Sequence, residues 1–196
     1  MELRQPPVEV LGLRVRFTPT PLSGAWLVEI EPIEDERGFF ARTWSPEEFA
    51  AQGLVTDIAA CNVSMNVTTG TLRGMHFQAE PHGEVKLVRC TSGGVFDVIV
   101  DLRPDSSTYC RWHGVELTAA NRTALYIPAG FAHGFQTLES HAEVLYQMSS
   151  PYVPDAARGV RWDDPLFAIE WPRAGRRVMS ERDRTYPDYV PEPARA

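Results

Sequence analysis

Between Asp57 and Met148 the chain breaks into short runs rich in Val, Ile, Leu, Phe and Tyr, cut apart by Thr69-Gly70, Ser92-Gly93-Gly94, Pro104-Asp105-Ser106-Ser107, Ala119-Ala120-Asn121 and Pro128-Ala129-Gly130. No stretch between these turns can hold a helix that crosses back over a parallel sheet. The spacing therefore predicts antiparallel strands forming an all-β sandwich or barrel. Within the runs the side chains alternate between two faces. Phe96, Val98, Val100 and Leu102 share one face, with Asp97, Ile99 and Asp101 on the other. Val144, Tyr146 and Met148 likewise lie opposite Glu143, Leu145 and Gln147, which puts Tyr146 in an apolar row.

The two ends read differently. Pro6, Pro7, Pro19 and Pro21 punctuate an N-terminal arm, about residues 1–24, with one edge strand expected between Val8 and Phe17. Trp26 to Ile30 then begins the core strands. The clearest helix starts at Ser45: a serine cap, Pro46 in the first turn, Glu48 to complete a capping box and Gly53 to end it. After Tyr152 the chain becomes irregular, with Pro154, Pro165, Pro172, Pro187, Pro191 and Pro193 and one short helical turn expected at Ser180 to Asp183. No repeat or low-complexity linker divides the sequence, and 196 residues suit one core, so a single domain over 1–196 is expected, its C-terminal segment (about 153–196) wrapping the strands.

A net charge of -7 argues against non-specific nucleic-acid binding, which requires basic surface. No apolar stretch is long enough to span a bilayer, and the first residues lack the pattern of a signal peptide, so the expected location is cytoplasmic with no membrane partner. Cys61, Cys90 and Cys110 show no paired spacing and are read as reduced thiols.

The candidate chemistry lies in two runs, Thr71 to Gln78 and Ile127 to Phe135, each setting a histidine (His76, His133) beside glycine and aromatic residues. Gly74 near His76 leaves room for a ligand or for another backbone. A metal centre would want a second histidine two residues after the first, and Gln78 stands there instead. A site shared with Asp97 or Glu143 stays open on spacing alone. His82, His113 and His141 fall in loop or edge contexts. Lys86 interrupts an apolar strand, and with Arg73 and Arg37 it would give the cationic lining that a diphosphate requires. Spacing alone makes Asp183 the partner of a Ser180 cap and Tyr146 a packed aromatic.

Read together, Leu72-Arg73-Gly74-Met75-His76-Phe77-Gln78, Val85-Lys86-Leu87-Val88-Arg89, the run Phe96 to Arg103 and Ile127 to Phe135 resemble the dTDP-4-dehydrorhamnose 3,5-epimerase family. Arg158 to Pro165 and Glu170-Trp171-Pro172 extend the likeness. The resemblance implies a cupin-type jelly roll with short peripheral helices. It also implies a homodimer exchanging strand contacts, and a nucleotide-sugar substrate epimerised with no metal or organic cofactor. His76 matches the family's base, Asp183 its orienting carboxylate, Tyr146 the acid across the ring and Lys86 the cation near the keto oxygen. His133 and Asp97 match further pocket residues, as does Gln78. Arg37, Asn62 and Arg73 match contacts to the diphosphate or nucleoside, Tyr152 an aromatic beside them, and Arg182 a position that is often lysine. Two residues depart from the pattern: Arg42 where glutamate is common and Ala60 where glutamine is common. Both fall in the nucleoside-binding part and leave the base open between thymidine, cytidine and others.

The same motifs would serve an enzyme that inverts only C3 or only C5. A 4-keto to 3-keto sugar isomerase would not need the opposite-face tyrosine. From other classes, a non-catalytic sugar-nucleotide-binding cupin and a metal-dependent oxygenase compete with the epimerase reading.

Overall fold

The computed structural model describes residues 12–192, so Pro6, Pro7, Val8 and Pro193 of the expected arm and tail lie outside the described residues. In chain order the first strands are β1 (Val15–Pro19), β2 (Trp26–Ile30), β3 (Ile33–Asp35) and β4 (Gly38–Phe40), followed by helix α1 (Pro46–Ala51). Then come β5 (Ala60–Asn66), β6 (Leu72–Gln78), β7 (Lys86–Ser92), β8 (Gly94–Asp101) and β9 (Trp112–Thr118). The last are β10 (Ala124–Ile127), β11 (Phe131–Thr137), β12 (Ala142–Met148), β13 (Ala157–Gly159) and helix α2 (Glu181–Arg184). Three sheets result: six strands ordered β1-β2-β10-β7-β12-β5, five ordered β13-β6-β11-β8-β9, and the separate hairpin β3-β4. Every paired strand runs antiparallel to its neighbours, as the turn spacing predicts.

The period of two decides what each face packs against. Val88, Leu125, Ile127 and Val144 of the larger sheet meet Val95, Ile99, Phe131 and Phe135 of the smaller one in a shared core. The opposite face of the five-stranded sheet is apolar too. There Met75, Val98, Val100 and Leu102 are covered by Val160, Phe167, Trp171 and Tyr189, so the irregular C-terminal segment is fixed by a second core. A fully buried side chain such as Val98, Val100 or Met75 stabilises the fold by about 1.5–3 kcal/mol.

Phe49 is the anchor of α1, buried with Val15, Val28, Leu87 and Tyr126 on the outer face of the six-stranded sheet. Ser45 caps the helix as expected, accepting from Glu48 N. The capping box is only half formed, because Glu48 does not reach back to Ser45. Its carboxylate accepts from Val15 N at 3.3 Å and lies 3.5 Å from Arg42, tying the helix to the edge strand instead. The expected edge strand begins at Val15, later than the sequence reading placed its start.

The C-terminal segment is also pinned to the start of β6. Leu72 N donates to Val178 O at 2.9 Å and Val178 N to Gly70 O at 3.0 Å. Gly70 is required there: its φ is +78°, and a Cβ would sit 2.5 Å from Arg176 O. This clamp delivers α2 to the inner end of β6.

Candidate active site

His76 and His133 are cross-strand partners on β6 and β11. The glycines beside them face each other: a Cβ on Gly74 would lie 2.5 Å from Gly134 Cα, and one on Gly134 would lie 2.7 Å from Arg73 O. The room beside the imidazole is therefore taken by backbone, and it lets the two histidine strands close together.

His76 Nε2 donates to Asp183 Oδ1 at 2.7 Å, across 107 residues of sequence. Ser180 caps α2 by accepting from Asp183 N at 3.1 Å, so the capping position and the contact with His76 belong to the same residue. Gly74 N also donates to Asp183 Oδ2, at 3.3 Å. Burial pushes the Asp183 carboxyl's pKa up, but the hydrogen bond and charge interaction with His76, with help from Gly74 and Ser180, outweigh it and hold the group below its ordinary range. A carboxylate fixed on one ring nitrogen leaves the other, Nδ1, to accept a proton. The His76 side chain is 42% exposed, whereas Asp183 is 7% exposed.

Facing it across the sandwich, β7 and β12 carry Lys86 and Tyr146. Register puts Tyr146 opposite Val88 and Asn62, and Met148 opposite Lys86, so Asn62, Tyr146, Met148 and Lys86 all line the inner face. Burial, with Asp97 nearby, pushes the Tyr146 phenol far above its ordinary value; Arg73 opposes this only in part. The phenol therefore stays protonated at neutral pH. His133 stacks edge-on against Tyr146 at 6.1 Å between ring centres. Its Nε2 lies 2.9 and 3.0 Å from the two Asp97 oxygens, a pair almost wholly removed from solvent.

These residues surround a cavity of about 680 Å³, with Phe135, Met179, Arg73, Arg182 and Asp183 completing the wall. A second compartment of about 590 Å³ adjoins it through Asn62, His76, Met148 and Arg182, and is lined further by Ala60, Gln78, Glu84, Tyr152 and Arg158. Arg73 is held by its Nε bond to Asn66 Oδ1 at 2.7 Å. Gln78 flanks the second compartment, but its amide is engaged with His82 O, Pro151 O and Val153 N, which fixes the neighbouring loops. Arg37 is not brought to either compartment within this chain. It sits in the β3-β4 turn, 84% exposed and paired with Asp35. Among the described residues, no group of three or more His, Cys, Asp and Glu gathers in the manner of a metal site.

Glu84 and Met179 also line the compartments and are not among the residues expected there from the sequence. Glu84 lies just ahead of β7, two residues before Lys86, where extended chain would turn both side chains to one side. Met179 has no such signal, because its position depends on the clamp at Val178.

The sequence model of dTDP-4-dehydrorhamnose 3,5-epimerases matches residues 19–190. This chain belongs to the dTDP-4-dehydrorhamnose 3,5-epimerase family. A member from Methanothermobacter thermautotrophicus is 44% identical over 174 residues, covering 87% of this chain and 92% of its own. A protein of Streptomyces niveus named dTDP-4-dehydrorhamnose 3-epimerase is 39% identical, with 87% and 82% covered. The crystal structure of the Bacillus anthracis 3,5-epimerase, with TDP and PPi bound, superposes with a TM-score of 0.86 at 38% identity, covering 90% of this chain and all of the other. The jelly-roll expectation agrees with this epimerase-family likeness. The site residues of the epimerase resemblance, Arg37 excepted, lie in or directly behind the walls of the two compartments.

Proposed function

We propose that this protein inverts C3 and C5 of dTDP-4-dehydro-6-deoxy-D-glucose, giving dTDP-4-dehydro-L-rhamnose, with protein side chains as the only acid and base. The observation that carries the reading is the placement of a carboxylate-held His76 on one sheet and of Tyr146 with Lys86 on the other, across one cavity. His76 Nδ1 takes the proton from the carbon beside the C4 ketone. Lys86 offers its positive charge to the enolate oxygen that forms, which lowers the barrier where charge develops. Tyr146 then returns a proton to the other face of that carbon, inverting it. One inversion leaves an extra proton on His76 and one too few on Tyr146, and exchange with water resets both.

Solvent hydrogen must therefore enter the product. Run in deuterated water and followed by NMR, the reaction should place deuterium at both C3 and C5; wild-type protein that labels neither carbon contradicts the reading. Labelling and inversion at C3 alone would favour a second reading, a 3-epimerase, which the likeness to the Streptomyces niveus protein supports.

Arg37 fits this function through a homodimer. The hairpin that carries it exposes Ile33, Phe39 and Phe40, an apolar surface suited to a second copy, and would bring the arginine to the nucleotide end of the partner's cavity. Sedimentation at micromolar concentration should give twice the chain mass.

A further inference from the structure

Lys86 does not stand alone at the start of β7. Glu84 places Oε1 2.9 Å from Lys86 Nζ, and both side chains are less than a tenth exposed. The same ammonium donates to His76 O at 3.1 Å. Of its three donors, one is left for the cavity that Lys86 lines. Glu84 is itself held firmly. On one side Val85 N donates to Ser149 Oγ at 2.8 Å and Ser149 N to Val85 O at 3.0 Å; on the other, Ser150 Oγ donates to Gly83 O at 3.1 Å.

A carboxylate near a site where negative charge develops opposes the reaction unless it acts through a cation. A buried ammonium, in turn, is costly to leave unpaired. We propose that Glu84 is a positioning residue for epimerisation: it holds the Lys86 ammonium against the His76 backbone, with the remaining N–H directed at the C4 oxygen. This rests on the 4-keto sugar chemistry proposed above. The geometry distinguishes it from mere loop bracing, because the loop has its own hydrogen bonds through Gly83, Val85, Ser149 and Ser150.

The test is a double-mutant cycle with Glu84→Gln and Lys86→Met, measuring kcat and KM. Glu84→Gln should lower kcat about tenfold or more with KM within about twofold, the pattern of an interaction made in the transition state. In the Lys86→Met background the same change should cost less than about twofold, since both residues act as one unit. Glu84→Asp should recover part of the rate. Additive losses, or a loss confined to KM, would overturn the proposal. If Glu84→Gln does not fold, the Lys86 ammonium resonance of the ligand-free wild type decides: a hydrogen-bonded, slowly exchanging signal that weakens in Glu84→Asp is expected, and its absence from the wild type is contrary. A wild type that turns over no 4-keto sugar overturns the functional reading as well, whereas turnover without coupling between these two residues overturns this proposal alone.

Discussion

His76 with Asp183 and His133 with Asp97 are two histidine–aspartate pairs in one cavity, each joined through Nε2, yet they are built on opposite plans. The first imidazole opens to the cavity and takes its carboxylate from a short helix at the far end of the chain. The second is sealed between neighbouring strands and shared by both carboxylate oxygens. An exposed ring with one nitrogen tethered is suited to moving a proton, while a buried ring with bifurcated support is suited to holding shape beside Tyr146. Identical side-chain chemistry is thus set in two different environments by burial.

Substitution should separate the pairs. His76→Ala removes the proposed proton acceptor and should lower the rate of solvent exchange by roughly 10³-fold or more, the upper part of what general base catalysis supplies. A residual loss below about tenfold would move the base elsewhere. Asp183→Asn leaves the ring in place without its charged partner and should cost about 10²-fold in kcat. Its effect on stability should depend on pH. Because the folded carboxyl is held below its ordinary value, its contribution is present above the unfolded pKa near 3.8 and is lost as pH falls through the folded one. The melting difference between Asp183→Asn and wild type should therefore shrink as pH falls below about 4.

Asp97→Asn should invert this balance. Disrupting a buried charged hydrogen bond costs about 1.5–3 kcal/mol, which at this size lowers Tm by roughly 3–12 °C, while the loss in kcat should be smaller than that of Asp183→Asn. Thermal melts beside steady-state rates would check both, and a stable but inactive Asp97→Asn would erase the difference between the two pairs. The smallest effect concerns Tyr146. Since burial raises its pKa, the absorbance difference between wild type and Tyr146→Phe should show no tyrosinate from this residue up to about pH 10, the value of an ordinary tyrosine.

The strand-borne half of the site was legible in the sequence. Alternation alone puts Asp97 and Ile99 on one face and Tyr146 with Val144 on one face, and the paired strands keep both arrangements. Contacts that depend on irregular chain were less legible. Nothing in the spacing of Ser180 and Asp183 says that a capped turn will meet His76, because the clamp at Gly70 and Val178 is a tertiary event. Glu48 illustrates the same limit: its local capping partner loses to Val15 N, a long-range donor. The glycines of the histidine runs serve the close approach of two backbones, which sequence alone could not distinguish from space for a ligand.

The proposed base and acid come from opposite sheets, which would set them on opposite faces of the sugar. Tyr146→Phe in deuterated water separates the two roles, with label uptake and inversion at C3 followed together by NMR. Exchange with retention of configuration should continue while inversion slows by about 10²-fold. Equal loss of exchange and inversion, or inversion at the wild-type rate, would contradict an acid role for Tyr146.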